Sequence, residues 1–270
     1  MTERRPPHGE PLHWVHQDAS LGAAEDLDHG LTLLRGVQSG AAPAPLVRLY
    51  RPAPTVAFGQ RDARLPGFER ARQACRAHGF APVVRRAGGR AAAYHPGSLV
   101  VDHLERDAEA MRGFRERFAA FGGLFVEVFR AAGVPAAVGE VPGEYCPGEF
   151  SVHTPLPAAA DGTARTPVKL AGTAQRVVKG AWLFSSSLVV EDPGPVRAVL
   201  VDVYEALGLD WDPDTAGAAS DAVPGLTVED VAAGLRRTYA RHASAAGGIV
   251  DRDWAQLLGA VPAASAPAAG

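Results

Sequence analysis

Lysine is rare in this chain, which makes the positions of the lysines informative. The 270 residues include 27 basic side chains, and only Lys169 and Lys179 are lysines. Lys169 lies in the apolar run VKLA at 168–171. If it faces a cleft, its ammonium could hold a phosphate or a developing oxyanion. If it faces water, it would be an edge-strand charge that discourages aggregation. The spacing leaves both interpretations open.

A glycine-bearing loop follows a short apolar run within residues 83–101, VVRRAGGRAAAYHPGSLVV. Arg85 precedes the sequence Gly88-Gly89-Arg90 by three positions. Glycines allow a ligand to approach the backbone, N–H groups of such a loop can bind an anion, and arginines neutralise phosphate or carboxylate. The alternative is a tight turn with exposed arginines, because the loop matches neither a Walker A nor a dinucleotide-binding pattern.

Two cysteines and the residues after this loop are further candidates. Cys146 lies in the loop sequence PGEYCPGEF, where a thiolate could carry an acyl group; the alternative is an inert thiol. Cys75 lies in a predicted helix, and we expect no chemical role for it. Tyr94 and His95 directly follow the glycine loop. Two cysteines form neither a disulfide framework nor a four-ligand zinc site, and HExxH is absent, so no metal site is predicted. The absence of GxSxG argues against a serine hydrolase.

Composition indicates a globular protein with one large domain. The chain is 47% apolar and 21% charged, which is enough apolar surface to bury a core. Its formal net charge of −3 argues against a dedicated nucleic-acid binder. Without an apolar run of 18 residues or an apolar signal core, we expect a cytoplasmic protein with no membrane partner. We predict a flexible tail over 1–12, one domain over 13–245, and a short helix with a disordered tail over 246–270.

Hydrophobic periodicity and turn residues predict both helices and strands. Helices are expected at 20–35, 67–78, 111–132, 196–207 and 228–242. Strands are expected at 46–50, 55–58, 82–86, 98–103, 149–153, 168–170, 174–178 and 181–190. Five phenylalanines spaced by three or four along 111–132 predict a core-facing stripe. Because helices and strands do not alternate strictly, we predict an α+β fold with mixed, largely antiparallel sheets packed with helices.

Three motifs occur in a characteristic order along the chain. The first is RLYRPAPTVAFG at 48–59, the second runs from Arg85-Arg86-Ala87-Gly88-Gly89-Arg90 to Leu99, and the third is KLAGTAQR from Lys169. Together they resemble the lipoate–protein ligase A family, within the biotin/lipoate A/B protein ligase superfamily. The resemblance covers about residues 14–243 and implies a class II biotin/lipoate ligase-like catalytic domain.

The resemblance implies a lipoate–protein ligase-like enzyme. Such an enzyme activates lipoate or octanoate with ATP and Mg²⁺ as acyl-AMP. It then transfers the acyl group to a lysine of a lipoyl domain, in a 2-oxoacid dehydrogenase or the glycine cleavage H protein. The resemblance implies that Lys169 contacts the acyl carbonyl and the phosphate. It also implies acyl- or nucleotide-binding roles for Arg85, Gly88, Gly89, Arg90, Tyr94, His95, Gly172, Thr173 and Ala174.

Two alternatives stay open. Some superfamily members are ATP-independent octanoyltransferases or amidotransferases whose cysteine nucleophile lies on a loop ahead of the lysine strand, and Cys146 precedes Lys169 in this way. In that case Cys146 would take octanoyl from acyl carrier protein, and Lys169 would polarise the thioester carbonyl. The second alternative is a non-catalytic lipoyl- or nucleotide-binding protein, which the presence of Lys169 disfavours.

Overall fold

Eleven strands and seven α-helices make up the described part of the computed structural model, residues 10–159 and 161–261. The strands are β1 Leu12–Gln17, β2 Leu46–Tyr50, β3 Thr55–Phe58, β4 Ala81–Val84, β5 Ala92–Tyr94, β6 Ser98–Arg106, β7 Ala137–Val138, β8 Val152–Thr154, β9 Val168–Val178, β10 Ala181–Val189 and β11 Ile249–Asp251. The helices are α1 Ala23–Ser39, α2 Phe68–Ala77, α3 Phe114–Ala131, α4 Pro193–Leu207, α5 Ala219–Ala222, α6 Val228–Ala243 and α7 Trp254–Ala260. The tails predicted at the two ends fall mostly on 1–9 and 262–270, which lie outside the described residues.

The strands form two sheets. The larger sheet has the order β11-β1-β2-β6-β10-β9-β8-β7. Its β1 is parallel to both β11 and β2, whereas each pairing from β2 onward to β7 is antiparallel. The smaller sheet has the order β4-β3-β5, with β3 parallel to β4 and antiparallel to β5. The predicted α+β fold with mixed, largely antiparallel sheets is confirmed.

Helices α3 and α6 cover one face of the larger sheet. Phe125 and Phe129 of α3 and Leu235 of α6 pack into one cluster with Trp182 and Phe184 of β10. Fully burying a side chain of this kind stabilises the fold by roughly 1.5–3 kcal/mol relative to exposure. This layer holds the middle of β10, and through it the neighbouring β9, in a fixed position.

The phenylalanine stripe of α3 is only partly a core stripe. Phe121, Phe125 and Phe129 are buried, but Phe114 is 52% exposed and Phe118 is half-buried. Both of these side chains belong to the start of α3, where they line a large cavity. The prediction that all five face the core is therefore wrong for Phe114, because periodicity identifies a helix face without identifying what lies opposite it.

Two other helix pairs complete the layers. Helices α1 and α7 cover part of the opposite face of the larger sheet, where Leu33 and Leu257 pack against Leu183. Helices α2 and α4 pack against the smaller sheet, and Cys75 of α2 lies inside that cluster. Burial raises the pKa of the Cys75 thiol to about 12. Among the described residues, no helix is long and apolar enough to cross a membrane.

Strand β9 is continuous, which corrects the prediction of two strands separated at 171–173. Gly172 and Thr173 stay extended because they pair with Ser187 and Ser186 of β10 in an antiparallel register. A glycine weakens a strand but does not end one whose neighbour supplies the complete ladder. Lys169 and the small residues after it therefore belong to one strand, whose pairing with β8 is irregular between Lys169 and Ala171.

Candidate active site

A cavity of about 720 Å³ lies between the larger and the smaller sheet. Its volume falls in the usual range for small-molecule sites. The residues that line it come from the loop after β4, strands β5, β9 and β10, helix α1 and the loop before β8. Predicted site residues in this lining are Arg85, Gly88, Gly89, Tyr94, Cys146, Lys169, Gly172, Thr173 and Ala174.

Cys146 lies on the loop between β7 and β8, with its sulfur against the glycine loop. Its Sγ accepts a hydrogen bond from the backbone N–H of Arg90 at 3.2 Å, and the Arg85 Nη2 atom lies 3.8 Å away. Both groups are hydrogen-bond donors directed at the sulfur, so they fix its position beside the glycine loop. The backbone of Cys146 has a φ of +45°, which is rare for a residue other than glycine and is held only when the surroundings require it.

Tyr204 supports this unusual conformation from helix α4. The Cys146 N–H donates to the Tyr204 hydroxyl at 2.7 Å, and that hydroxyl donates to the Ala91 carbonyl at 3.0 Å. The hydroxyl is buried, and burial raises the pKa of Tyr204 well above its ordinary value. One side chain thus ties the cysteine loop to the strand that follows the glycine loop.

Arg85 organises the glycine loop from within. Its guanidinium donates to the carbonyls of Ala57, Gly88 and Arg90 at 2.7, 3.0 and 2.7 Å. Gly89 has a φ of +97°, and a Cβ there would stand 2.8 Å from Cys146 Sγ. Only glycine fits between the arginine and the sulfur without strain. The loop is therefore shaped around the cysteine.

The loop after β3 supports the glycine loop. Gly59 N–H donates to the carboxylate of the fully buried Asp62 at 2.9 Å, and the Arg90 Nη1 donates to the same carboxylate at 3.0 Å. The Arg90 side chain thus points to Asp62 and away from the cavity, so its contribution to the site is its backbone N–H.

Lys169 lies inside the protein, at the cavity, and not on a water-facing edge. It is 1% exposed, and its Nζ donates to the carbonyls of Tyr145 and Cys146 at 3.1 and 2.8 Å. The Glu144 carboxylate lies 3.0 Å from the same nitrogen, and the Tyr145 ring lies beneath it at 4.9 Å. These contacts join strand β9 to the cysteine loop, so the ammonium and the thiol share one site.

The other predicted residues divide into two groups. Gly172, Thr173 and Ala174 line the cavity along β9, and Tyr94 lines it from β5, where burial raises its pKa well above the ordinary value. His95 lies outside the lining: its ring contacts the Asp192 carbonyl at 2.8 Å and accepts from the Gly97 N–H at 3.0 Å. The structure therefore gives His95 a role in holding the turn before β6.

A charged cluster that the sequence did not indicate lies at the α1 side of the cavity. Arg48 is fully buried, its Nη1 lies 3.3 Å from the Asp102 carboxylate, and its Nη2 donates to the Asp26 carbonyl at 2.8 Å. Burial raises the pKa of Asp102, while Arg48 and the Ser185 hydroxyl act in the opposite direction. Asp102, Asp26 and Ser185 all line the cavity, so part of its wall is polar.

Sequence reasoning missed Glu144, Tyr204 and Asp62. Glu144 lies two positions before Cys146, so a search for buried acids beside the candidate nucleophile could have found it. Tyr204 and Asp62 are distant in sequence, and no local signal marks either. Within the described residues, no group of three His, Cys, Asp or Glu side chains is arranged to hold a metal ion.

Comparison with known proteins identifies the family of this chain. The family model of the lipoyl protein ligase A/B catalytic domain matches residues 23–205. The chain belongs to this family, and the resemblance found in its sequence is confirmed.

Particular relatives are named as enzymes. An octanoyl-[GcvH]:protein N-octanoyltransferase from an Exiguobacterium species is 26% identical over 246 residues, which cover 85% of this chain and 81% of the relative. A lipoyl-[GcvH]:protein N-lipoyltransferase from Listeria monocytogenes is 27% identical over 207 residues, covering 70% and 68%. The prediction that the protein is an acyl-transferring enzyme is confirmed by these relatives.

A solved structure has the same fold. The bipartite lipoate protein ligase from Thermoplasma acidophilum, studied with its E2 lipoyl domain, superimposes with a TM-score of 0.65 at 18% identity. The superposition covers 91% of this chain and 87% of that one. At this identity the likeness supports the predicted biotin/lipoate ligase-like fold.

Proposed function

We propose that this protein is a cysteine-dependent acyltransferase that moves an octanoyl or lipoyl group between protein carriers, with Cys146 as the nucleophile. One observation carries the proposal: the Cys146 sulfur lies at the cavity, where it accepts from the Arg90 N–H at 3.2 Å, and the ammonium of Lys169 contacts the carbonyl of the same cysteine. An activated nucleophile next to a fixed cation is what transfer through a covalent acyl intermediate requires.

The first step is attack of the Cys146 thiolate on the acyl carbonyl of the donor. The new S–C bond forms as the carbonyl electrons move to oxygen, where the Lys169 ammonium and the nearby backbone N–H groups can stabilise the negative charge. The bond to the donor nitrogen or sulfur then breaks, the leaving group takes up a proton, and a thioester remains on Cys146. No ATP is consumed, because the donor is already acylated.

The second step is attack on this thioester by a neutral lysine amine of the acceptor protein. The N–C bond forms, the S–C bond breaks, and the Cys146 thiolate is regenerated as the amine loses a proton. The products are an amide on the acceptor and the free enzyme. Gly172, Thr173 and Ala174 line the cavity along β9, and their small side chains leave room for an acyl chain.

The names of the relatives support particular partners. They point to an acylated glycine cleavage H protein as donor and a second lipoyl domain, such as that of a 2-oxoacid dehydrogenase, as acceptor. An acylated acyl carrier protein is a second donor to be tried. Activation of free lipoate or octanoate by ATP and Mg²⁺, as in a ligase, is the competing route.

Intact-mass spectrometry of the enzyme and an apo lipoyl domain tests the proposal. Three mixtures contain octanoylated H protein, octanoyl-acyl carrier protein, or octanoate with ATP and Mg²⁺. We expect one octanoyl group on the enzyme and then on the acceptor in a mixture without ATP. Acylation confined to the ATP mixture would overturn the proposal.

The two cysteines supply a matched pair of variants. Cys146→Ala should abolish both the enzyme adduct and the transfer. Cys75→Ala removes the other thiol, which is buried in α2, and should leave both intact. Transfer that survives Cys146→Ala would exclude this residue as the nucleophile.

A further inference from the structure

Glu144 is a buried acid that the acyl-transfer steps above do not use. Its side chain is fully buried, and its two oxygens serve different partners. Oε1 accepts from the Gly148 N–H at 3.1 Å and from the Ser151 hydroxyl at 2.8 Å, whereas Oε2 lies 3.0 Å from Lys169 Nζ. The carboxylate thus closes the loop 144–151, which carries Cys146, and also faces the ammonium.

The ammonium needs this carboxylate. A buried charge without a counter-charge is strongly unfavourable, and a lysine in that position releases its proton more easily. Two of the three N–H donors of Lys169 go to the carbonyls of Tyr145 and Cys146, which are dipoles without net charge. Glu144 is the acid in contact with the ammonium in the described part of the chain.

Other titratable groups near this pair come from each neighbouring element. His153 on β8 is paired with Lys169 on β9, and burial lowers the pKa of His153 although Glu144 acts in the opposite direction. The Tyr145 phenol and the Cys146 thiol lie on the loop itself. Burial raises the pKa of Tyr145 well above its ordinary value. The phenol is therefore neutral at neutral pH, and an imidazole carries no negative charge. Among these neighbours, the groups that can balance Lys169 are Glu144 and, as a thiolate, Cys146, and Glu144 is the one whose charged atom contacts the ammonium.

We propose that Glu144 is a positioning residue that keeps Lys169 protonated and holds the cysteine loop against β9. Lys169 then acts as a permanent cation and not as the base that takes a proton from Cys146 or from the acceptor lysine. The effect of Glu144 on acyl transfer rests on the proposed function. The effect of Glu144 on the protonation of Lys169 is independent of that function, so either claim can fail while the other stands.

The scarcity of lysine makes a direct test practical. Acetic anhydride acylates an amine only in its neutral form, and the lysine amines of the chain are just those of Lys169 and Lys179. The acetylated fraction of each lysine is read from peptide masses after brief labelling between pH 6 and 11. Exposed Lys179 serves as the internal reference.

Glu144→Gln keeps the shape of the side chain and removes its charge. We expect the labelling midpoint of Lys169 to fall by at least one pH unit, a tenfold change in protonation, while that of Lys179 stays unchanged. Ser151→Ala removes a hydrogen bond to Oε1 without altering the charge and should leave the Lys169 midpoint in place. Glu144→Asp, which keeps the charge, should stay nearer to the unmodified protein than to Glu144→Gln.

Equal midpoints for Lys169 in Glu144→Gln and the unmodified protein would overturn the proposal. Should Glu144→Gln fail to fold, the unmodified protein still decides: Lys169 acetylated at lower pH than Lys179 would also overturn it. In the transfer assay, Glu144→Gln should lose rate mainly at alkaline pH, whereas a purely structural role would lower the rate equally at every pH. If no protein transfers an acyl group but the midpoints behave as expected, the proposed function falls and the inference about Lys169 stands.

Discussion

Gly59 and Gly89 lie in direct backbone contact, although thirty residues separate them. The Gly89 carbonyl oxygen lies 1.9 Å from the point at which a Cβ on Gly59 would stand. Two loops, after β3 and after β4, can approach this closely only because Gly59 has no side chain. The contact fixes the position of the glycine loop relative to the loop after β3. It thereby also fixes the position of the Arg90 N–H that donates to Cys146 Sγ.

Replacement of Gly59 by alanine should therefore damage the site more than the fold. The methyl group must displace the Gly89 backbone, which moves the N–H group away from the sulfur, and we expect acyl transfer to fall at least tenfold. Gly123→Ala in helix α3 is the matched control, because Gly123 lies outside the cavity lining and no heavy atom of the described residues lies within 4 Å of its added Cβ. Transfer rates of the two variants are compared under identical conditions, and equal rates would contradict this account of the loop.

Arg85 and its neighbour Arg86 should respond differently to the same change. Arg85 donates to three carbonyls through a planar fork, which a lysine cannot reproduce, so Arg85→Lys should loosen the loop and reduce transfer roughly tenfold or more. Arg86 is exposed and forms no ion pair in the described part of the chain, so Arg86→Lys should change the rate less than twofold. A large effect of Arg86→Lys with none for Arg85→Lys would reverse the assignment.

Tyr204→Phe should uncouple the cysteine loop from α4. The change leaves the buried Cys146 N–H and Ala91 carbonyl without their partner, at a cost of about 1–3 kcal/mol in the free energy of unfolding. Tyr239→Phe removes another buried hydroxyl, which contacts His103 at 3.2 Å, and neither residue lines the cavity. Both variants should lose stability in chemical denaturation, but only Tyr204→Phe should slow alkylation of Cys146 by iodoacetamide.

Mild acid should destabilise the protein through the buried His13 and the half-buried His153. Burial lowers the pKa of His13 and of His153 in the folded state relative to the ordinary value of about 6.5. The unfolded chain then binds more protons, so stability is complete above that value and is lost as the pH falls through the folded pKa values. His153→Asn should flatten the dependence of the melting temperature between pH 7.5 and 5. The exposed His16→Asn should leave it unchanged, and equal slopes for both variants would contradict this assignment.

Local signals were sufficient for much of the fold. The bounds of β2 and β3 agree with the predicted 46–50 and 55–58, because each is a short apolar run bounded by proline. The start of α3 and the continuity of β9 could not be predicted in the same way. Phe114 faces a cavity that other elements create, and Gly172 is held extended by a partner strand.

The residues of the candidate site also divide into those that local sequence marks and those that only the folded structure identifies. The three motifs marked Lys169 and the glycine loop, and loop composition marked Cys146. That the ammonium contacts the carbonyl of this cysteine depends on how β9 lies beside the 144–151 loop, which spacing alone left open. Glu144 and Tyr204 act through contacts with those residues, so only the assembled structure identifies them.

The pairing of β11 with β1 makes the two ends of the described fold depend on each other. β11 contributes only Ile249–Asp251, yet it occupies the hydrogen-bonding edge that β1 would otherwise present to solvent. Loss of that short strand would turn the border of an eight-stranded sheet into a free template for strands of other molecules. As the border strand, β11 offers only three residues to another molecule, and a very short edge strand is one way in which proteins limit edge-to-edge pairing.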